Sequence, residues 1–245
     1  MREVAVRYYY AEHEDAYRRL RERGMRQWSA LFEAEWGGGV DAFPNREFLE
    51  RALSRLSLGE PRDVDVLEYG CGTGPAACFL AGLGYRVEAV DLIPDAIEVA
   101  REIARELGVE VEFAVRDMCA LAGEPVRKQY DLVLDGYCLQ SIVIDADRAA
   151  LFAAVRERLK GYYVISTAMY APDREYEEGF WYDAETGICY QAGAAGDATI
   201  ERDGVWYRPH RRHLRPEALH TELEAAGFHI ITQEGNGGDV ICTRA

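Results

Sequence analysis

Three glycines at alternate positions, Gly70, Gly72 and Gly74, are the residues of this 245-residue sequence that indicate chemistry most directly. They follow an apolar segment typical of a buried strand and precede a segment typical of a helix. Glycine lets the backbone turn tightly and approach a ligand. A helix N-terminus adds unpaired N–H groups and a partial positive charge, which favour an anion. Asp91 ends the next predicted strand, where a carboxylate can accept hydrogen bonds from both hydroxyls of a ribose.

This arrangement admits more than one nucleoside cofactor. A dinucleotide site uses Gly-x-Gly-x-x-Gly, in which the last glycine packs the helix against the strand. Counted from Gly70 the last position is Pro75, and counted from Gly72 it is Ala77. Because alanine is accepted there in some dinucleotide sites, an NAD(P)-dependent oxidoreductase stays open as an alternative.

Strand and helix patterns alternate around these residues, which predicts the elements that position them. The predicted strands are 64–69, 85–91, 109–115, 130–135, 162–167, 228–233 and 239–243. The predicted helices between them are 75–83, 95–107 with Asp95 as cap, 147–159 and 216–226. We therefore expect an α/β fold with a doubly wound, seven-stranded sheet, mostly parallel with an antiparallel last strand.

The rest of the chain is predicted to add to this core within a single domain over residues 1–245. Residues 59–169 and 214–245 form the predicted core. Residues 1–58 form a predicted N-terminal helical cap, with one helix from about residue 8 to 34 and another after Asn45, which can cap it. Residues 170–213 are rich in aromatic side chains and have hairpin signals at 185–187 and 203–204. They predict an inserted β-rich lid.

The segment 66–74, Val-Leu-Glu-Tyr-Gly-Cys-Gly-Thr-Gly, resembles the first motif of the class I, Rossmann-like S-adenosylmethionine-dependent methyltransferases. Residues 89–91, 116–118 and 130–135 resemble the second motif, the adenine-contacting segment and the fourth motif of that family. The resemblance covers roughly residues 60–170. The predicted closing strands fit the family's antiparallel last strand.

The resemblance implies S-adenosyl-L-methionine as cofactor. The residues expected to bind it are Glu68, Gly70, Cys71, Gly72, Gly74, Asp91, Leu92, Asp117, Met118, Asp135 and Gly136. Glu68, the glycine loop and Asp135 are expected at the methionine end, Asp91 at the ribose and Asp117 at the adenine amine. A purely structural role stays open for Asp135, and Asp117 could instead only cap its own turn.

Candidate residues for the methyl acceptor lie after the fourth predicted strand and in the aromatic insert. A hydroxyl acceptor often needs a general base, and His210 or His213 is the candidate, with a solvated basic turn as the alternative. Tyr137 is the first candidate for an acceptor contact, against a role in packing alone. The neighbouring arginines could bind a carboxylate or phosphate on the acceptor or pair with surface acids; they are Arg208, Arg211, Arg212 and Arg215. The insert aromatics are either a cage for a cationic amine or a local core; they are Trp181, Tyr182, Trp206 and Tyr207. The resemblance also implies a cap from the N-terminal helices, its usual place in small-molecule members, where Tyr8, Tyr9, Tyr10 and Trp28 could close over the cofactor.

The composition limits which substrates and binding partners are expected. A formal net charge of −15 argues against nucleic acid as substrate. No apolar run approaches the length of a membrane span, and the N-terminus does not resemble a signal peptide, so we expect a cytoplasmic protein. The six cysteines are expected to be structural thiols, with no metal site. The prediction is methylation of oxygen or nitrogen on a small molecule. A non-catalytic cofactor-binding protein is a further alternative, and the sequence does not indicate an oligomeric state.

Overall fold

The computed structural model describes residues 9–25, 43–196 and 198–245. The helices in these ranges are α1 (Tyr10–Glu22), α2 (Arg46–Arg55), α3 (Pro75–Gly82), α4 (Pro94–Leu107), α5 (Asp145–Arg158) and α6 (Pro216–Ala225). None of them is long and apolar enough to cross a membrane. The first five strands are β1 (Asp65–Tyr69), β2 (Arg86–Asp91), β3 (Val111–Val115), β4 (Tyr130–Gly136) and β5 (Leu159–Ser166). The remaining strands are β6 (Phe180–Asp183), β7 (Ile188–Ala192), β8 (Ile200–Arg202), β9 (Val205–Arg212), β10 (Phe228–Glu234) and β11 (Asp239–Arg244).

Seven strands form the main sheet in the order β10-β11-β5-β4-β1-β2-β3. The first five strands of the chain, β1 to β5, pair with one another in parallel. Strand β11 pairs antiparallel with both β5 and β10. The predicted fold class is confirmed, including the antiparallel last strand. Because β1 lies between β2 and β4, the order of connections reverses at β1, where sheets of this kind bind ligands.

The core divides into two layers because successive side chains of a strand point to opposite faces of the sheet. Val66 packs on one face with side chains of α2, α3 and α4. Leu67, the next residue, packs on the other face with side chains of α5 and α6. Helices therefore cover both faces of the sheet, and the carboxyl ends of the strands remain available for a ligand-binding site.

The insert forms a separate four-stranded antiparallel sheet in the order β6-β7-β9-β8. Residues 203 and 204 make the two-residue turn from β8 to β9, and both have positive φ. This is the geometry that Asp-Gly hairpins adopt. The predicted inserted β element is therefore present.

Three local predictions for the helices were wrong. The first helix does not run to about residue 34: α1 ends at Glu22, and Gly24 follows with a φ of 62°. The predicted helical positions 26–34, with Trp28, lie outside the described residues, as does Tyr8. Asp95 does not cap α4 but lies in its first turn, because the helix begins at Pro94. Asn45 precedes α2 as predicted, yet its side chain makes no capping hydrogen bond.

Candidate active site

A cavity of about 520 Å³ lies at the carboxyl ends of β1, β2 and β4. The predicted cofactor residues that line it are Glu68, Gly70, Cys71, Gly72, Asp91, Leu92, Asp117, Met118 and Gly136. Two others, Gly74 and Asp135, do not line it. The structure thus brings together residues that are far apart in sequence, as the parallel strand ends require.

The glycine loop depends on the absence of side chains. Gly70, Gly72 and Gly74 all have positive φ, between 55° and 77°, a region that residues with a Cβ rarely adopt. A β-carbon on Gly72 would lie 2.5 Å from the hydroxyl oxygen of Tyr17. The phenol of α1 therefore rests directly on the loop, and Tyr17 also lines the cavity.

The Asp91 carboxylate is hydrogen-bonded to the glycine loop. Its Oδ2 accepts a hydrogen bond from the Gly72 N–H at 2.8 Å, and its Oδ1 accepts one from the Ile93 N–H at 2.9 Å. Burial raises the pKa of Asp91, and these backbone N–H groups act in the opposite direction. The Leu92 N–H also bonds the carboxylate, and since a carboxylate has about four acceptor positions, Asp91 can still accept a hydrogen bond from a ribose.

Two further carboxyl groups are buried beside the loop. Burial raises the pKa of Glu68 to about 8, helped by the charges of Asp135 and Asp91. Burial also raises the pKa of Asp135 to about 7, although hydrogen bonds from the backbone N–H groups of Cys138 and Leu139 lower it. The Asp135 Oδ1 accepts these hydrogen bonds at 2.8 and 3.2 Å. Asp135 therefore holds the turn after β4 from behind the cavity wall, as its structural alternative predicts.

Asn45 is a site residue that the sequence analysis missed. Its Nδ2 is buried without a hydrogen-bond partner, and so is the Oε2 of Glu68. Both side chains line the cavity, and a β-carbon on Gly136 would lie 3.4 Å from Asn45 Nδ2 and 3.7 Å from Glu68 Oε1. Buried polar atoms without partners are rare. An amide donor beside a carboxyl acceptor fits the carboxylate and ammonium of an amino acid, as at the methionine end of S-adenosylmethionine.

Asp117 lines the same cavity and also has a local role. Its Oδ1 accepts a hydrogen bond from the Cys119 N–H at 2.9 Å, which caps the short 3-10 turn that begins at Met118. Both Asp117 and Met118 line the cavity. The capping role therefore does not remove Asp117 from the site.

The structure does not bring the two predicted histidines to the cavity wall. His210 contacts Glu12 of α1, with 3.2 Å between Nδ1 and Oε2. His213 accepts a hydrogen bond from Arg174, with 2.7 Å between Nη1 and Nδ1. Burial and the Arg174 charge lower the pKa of His213 to about 3. Of the described histidines, the one that lines the cavity is His13 of α1.

Tyr137 does line the cavity, in an unusual backbone conformation. Its φ is 66°, in the left-handed region that an aromatic residue rarely adopts. Its N–H donates to the Ser166 carbonyl oxygen at 2.7 Å, which holds this conformation in place. Backbone strain of this kind is concentrated at functional sites.

The four candidate arginines between positions 208 and 215 have different surroundings, and Arg211 is the one that lines the cavity. Its Nη2 is 3.0 Å from Glu12 Oε1, so it joins β9 to α1. The guanidinium of Arg208 donates to Gln191 at 2.7 Å, Arg212 bonds Val143 and Asp145, and Arg215 lies over Tyr170.

Three of the four insert aromatics that were considered as a cage pack on other aromatic rings. Trp181 stacks on Tyr190 with ring centroids 5.0 Å apart and meets Tyr207 edge-on. Tyr182 stacks on both Tyr170 and Tyr176. These three support the local core that was the alternative prediction, whereas Trp206 is exposed. Of the described aromatic side chains of the cap, Tyr9, Tyr17 and Phe43 line the cavity, as does the His13 ring.

Comparison with known proteins identifies the domain. Residues 66–161 match a family model described as a methyltransferase domain. A ubiquinone biosynthesis O-methyltransferase of Xanthomonas axonopodis pv. citri (strain 306) is 34% identical over 126 residues, which are 51% of this chain and 50% of that protein. The chain therefore spans about half the length of the relatives that it matches.

Solved structures resemble almost the whole chain in fold. An S-adenosylmethionine-dependent methyltransferase from Clostridium acetobutylicum ATCC 824 gives a TM-score of 0.59 at 14% identity, over 88% of this chain and 94% of that one. The CcbJ methyltransferase from Streptomyces caelestis gives 0.59 at 18% identity, over 90% and 97%. Residues 66–161 therefore form a methyltransferase domain, and the chain has the fold of S-adenosylmethionine-dependent methyltransferases.

Proposed function

We propose that this protein transfers a methyl group from S-adenosylmethionine to a hydroxyl oxygen of a small molecule that carries an anionic group. The observation that carries the proposal is the composition of one cavity. Its wall includes Asp91 and Asp117, which suit a nucleoside, and also His13, Tyr137 and Arg211, which belong to no cofactor motif. The curated relatives are named O-methyltransferases, which favours oxygen over nitrogen as the acceptor atom.

The cofactor half of the cavity, with Asn45, Glu68, Asp91 and Asp117 in its wall, binds the cofactor and takes no part in the bond changes. When bound, S-adenosylmethionine supplies a methyl group already activated by a positive sulfur. Asp91 accepts hydrogen bonds from the ribose, Asp117 accepts one from the adenine amine, and Asn45 and Glu68 bind the amino-acid end. Since positive charge is lost from sulfur during transfer, a carboxylate that stabilised it strongly would slow the reaction. The residues of this half therefore contribute by orienting the methyl group toward the acceptor.

The acceptor half of the cavity, with His13, Tyr137 and Arg211 in its wall, favours a small anionic molecule. The whole cavity, at about 520 Å³, lies within the range of roughly 300–1,000 Å³ that is usual for small-ligand sites. Arg211 has a guanidinium with five N–H donors, and its contact with Glu12 uses Nη2 while Nη1 donates to the His210 carbonyl. A carboxylate or phosphate of the acceptor would bind the guanidinium from the cavity side. Of the four arginines that the sequence offered as binders of an acceptor anion, Arg211 therefore takes this role.

The experiment is a transfer assay with S-adenosylmethionine labelled in its methyl group. The acceptors are matched phenols and amines, each with and without a carboxylate. We expect labelled product from carboxylated phenols, and a KM at least about tenfold higher in Arg211→Met, since a charge-assisted contact is lost. Arg208→Met is the matched control, because Arg208 bonds Gln191 outside the cavity. Cofactor binding without transfer to any phenol or amine would contradict the proposal and favour a non-catalytic cofactor-binding protein.

A further inference from the structure

One face of α1 belongs to the cavity. Tyr9, His13 and Tyr17 follow each other at intervals of four residues, which places them on the same side of the helix, and all three line the cavity. Tyr17 rests on Gly72 of the glycine loop. His13 lies one turn earlier, about 6 Å along the helix axis, on the side where Arg211 approaches.

The proton on the His13 ring has a fixed position. The Nδ1 atom is 2.8 Å from the carbonyl oxygen of Tyr9. A carbonyl oxygen can only accept, so Nδ1 must carry the hydrogen of the neutral ring. The lone pair that accepts a proton is therefore on Nε2. In this tautomer His13 is a base with one defined basic nitrogen.

The charged groups around His13 come from α1 and β9. Burial lowers the pKa of His13, and the positive charge of Arg211 lowers it further. Glu12 raises it and His210 lowers it, both to a smaller extent. Glu12 itself is ionised: although burial would raise its pKa, the hydrogen bond from His210 and the charge of Arg211 lower it to about 2. His13 is therefore neutral near pH 7, with a carboxylate nearby that stabilises a transient positive charge on the ring.

We propose that Nε2 of His13 accepts the proton of the acceptor hydroxyl during methyl transfer. The acceptor oxygen forms a bond to the methyl carbon, the bond from that carbon to sulfur breaks with its electron pair left on sulfur, and the hydroxyl proton moves to Nε2. The positive charge thus moves from sulfur to the imidazole, next to Glu12, and leaves to solvent as a proton. This role rests on the proposed function, and it replaces His210 and His213, which do not line the cavity.

The first test needs no acceptor. Histidine ¹⁵N–¹³C NMR spectra of the protein with S-adenosylhomocysteine distinguish the two neutral tautomers and follow protonation with pH. We expect His13 with its hydrogen on Nδ1, neutral at pH 7 and titrating below the ordinary histidine value of about 6.5. A hydrogen on Nε2, or a charged ring at pH 7, would overturn the role of His13 and leave methyl transfer itself possible.

The second test uses phenol as a hydroxyl probe in calorimetric titrations at pH 7 of protein that holds S-adenosylhomocysteine. Because the ordinary pKa of a phenol hydroxyl is about 10, the probe stays neutral and can donate a hydrogen bond to the neutral Nε2 atom. We expect wild type to bind the probe up to about tenfold more tightly than His13→Asn, since that hydrogen bond is lost. His13→Asn keeps an amide donor for the Tyr9 carbonyl but removes Nε2, and it should leave the affinity for S-adenosylhomocysteine unchanged. His229→Asn, at an exposed position on β10, is the control that binds the probe like wild type. Equal affinities of wild type and His13→Asn for the probe would overturn the proposal.

The same variant separates a base from a structural residue in turnover. With a phenol that the transfer assay identifies, His13→Asn should lower kcat roughly 100-fold and remove the rise of kcat with pH that belongs to the wild-type base. If no phenol or amine is methylated, the proposed function fails while the tautomer result stands on its own. An unchanged kcat and pH profile in the variant would contradict the role of His13 alone.

Discussion

The hydroxyl oxygen of Tyr17 lies 2.5 Å from the point that a β-carbon on Gly72 would occupy. This contact joins the N-terminal helix to the glycine loop, so that a residue of the cap and a residue of the cofactor motif shape the same wall. Glycine is therefore needed at position 72 for two reasons: its φ is positive, and the Tyr17 hydroxyl leaves no space for a β-carbon.

Comparing Gly72→Ala with Gly108→Ala separates these two reasons. Gly72 and Gly108 have similar φ values of 55° and 65°, yet a β-carbon on Gly108 would contact nothing within 4 Å. Gly108→Ala should lose about 1–2 kcal/mol of stability, because it forces a side chain into the left-handed region, and Gly72→Ala should lose more because its β-carbon also meets Tyr17. Calorimetric affinity for S-adenosylhomocysteine should fall only in Gly72→Ala. Equal affinities in the two variants would mean that the loop does not need the close contact with Tyr17.

Asn45→Leu should have opposite effects on stability and binding. The buried Nδ2 of Asn45 has no hydrogen-bond partner, so the similarly shaped apolar side chain removes a desolvation cost of about 1 kcal/mol. The affinity for S-adenosylmethionine should nevertheless fall about tenfold, since a hydrogen bond to a charged group is lost. Thr232→Val is the control, because its Oγ1 is also buried without a partner but lies outside the cavity. A variant of Asn45 that binds as well as wild type would remove this residue from the cofactor site.

Glu68 gives the unfolding free energy a defined pH dependence. Its pKa is about 8 in the folded protein, against an ordinary value of 4.5. Between these values the folded state binds more protons than the unfolded chain, so stability falls as pH rises from about 4.5 to 8. Glu68→Gln should flatten this slope in urea titrations of the ligand-free protein. Asp135 adds a similar slope up to about pH 7, which the variant retains. Identical slopes in the two proteins would show that Glu68 titrates normally.

Glu222→Gln should destabilise the protein and disturb the acceptor half of the cavity. Arg148 is buried and pairs with Glu222 at 2.6 Å, and the same guanidinium donates to the Leu139 and Ile142 carbonyls at 2.9 Å. Removing the carboxylate leaves a buried charge with less compensation, at a cost of about 3 kcal/mol. The turn after Tyr137 should loosen, so KM for the acceptor should rise more than the Kd of the cofactor. Glu224→Gln, an exposed position in α6, should change stability by less than about 0.5 kcal/mol. Similar losses in both variants would contradict the role of this ion pair.

The sheet and the cofactor loop could be predicted from sequence because they rest on local signals. Alternating apolar residues, glycines after strands and Asp91 at a strand end each have a physical meaning within a few residues. The end of α1 was missed even though Gly24 was visible, because the apolar spacing beyond it suggested that the helix continued.

The acceptor half could not be predicted, because it depends on tertiary placement. In a strand, successive side chains point to opposite faces, so the run around β9 does not reveal that Arg211 rather than His210 lines the cavity. Asn45 precedes a helix, which suggests a cap, and only its position beside Gly136 and Glu68 shows another role. The interval from Tyr9 to His13 to Tyr17 was a usable signal, since it places three polar aromatic rings on one helix face.

Calorimetric titration tests most directly whether the loop at 70–74 and Asp91 hold S-adenosylmethionine. Wild type should bind S-adenosylmethionine and S-adenosylhomocysteine with micromolar affinity, and Asp91→Ala should lose roughly 100-fold, as expected when hydrogen bonds to a charged group are removed. Asp95→Ala, in the first turn of α4, should bind like wild type. No binding of either ligand by wild type, with binding of a nicotinamide dinucleotide instead, would contradict the account and favour an oxidoreductase.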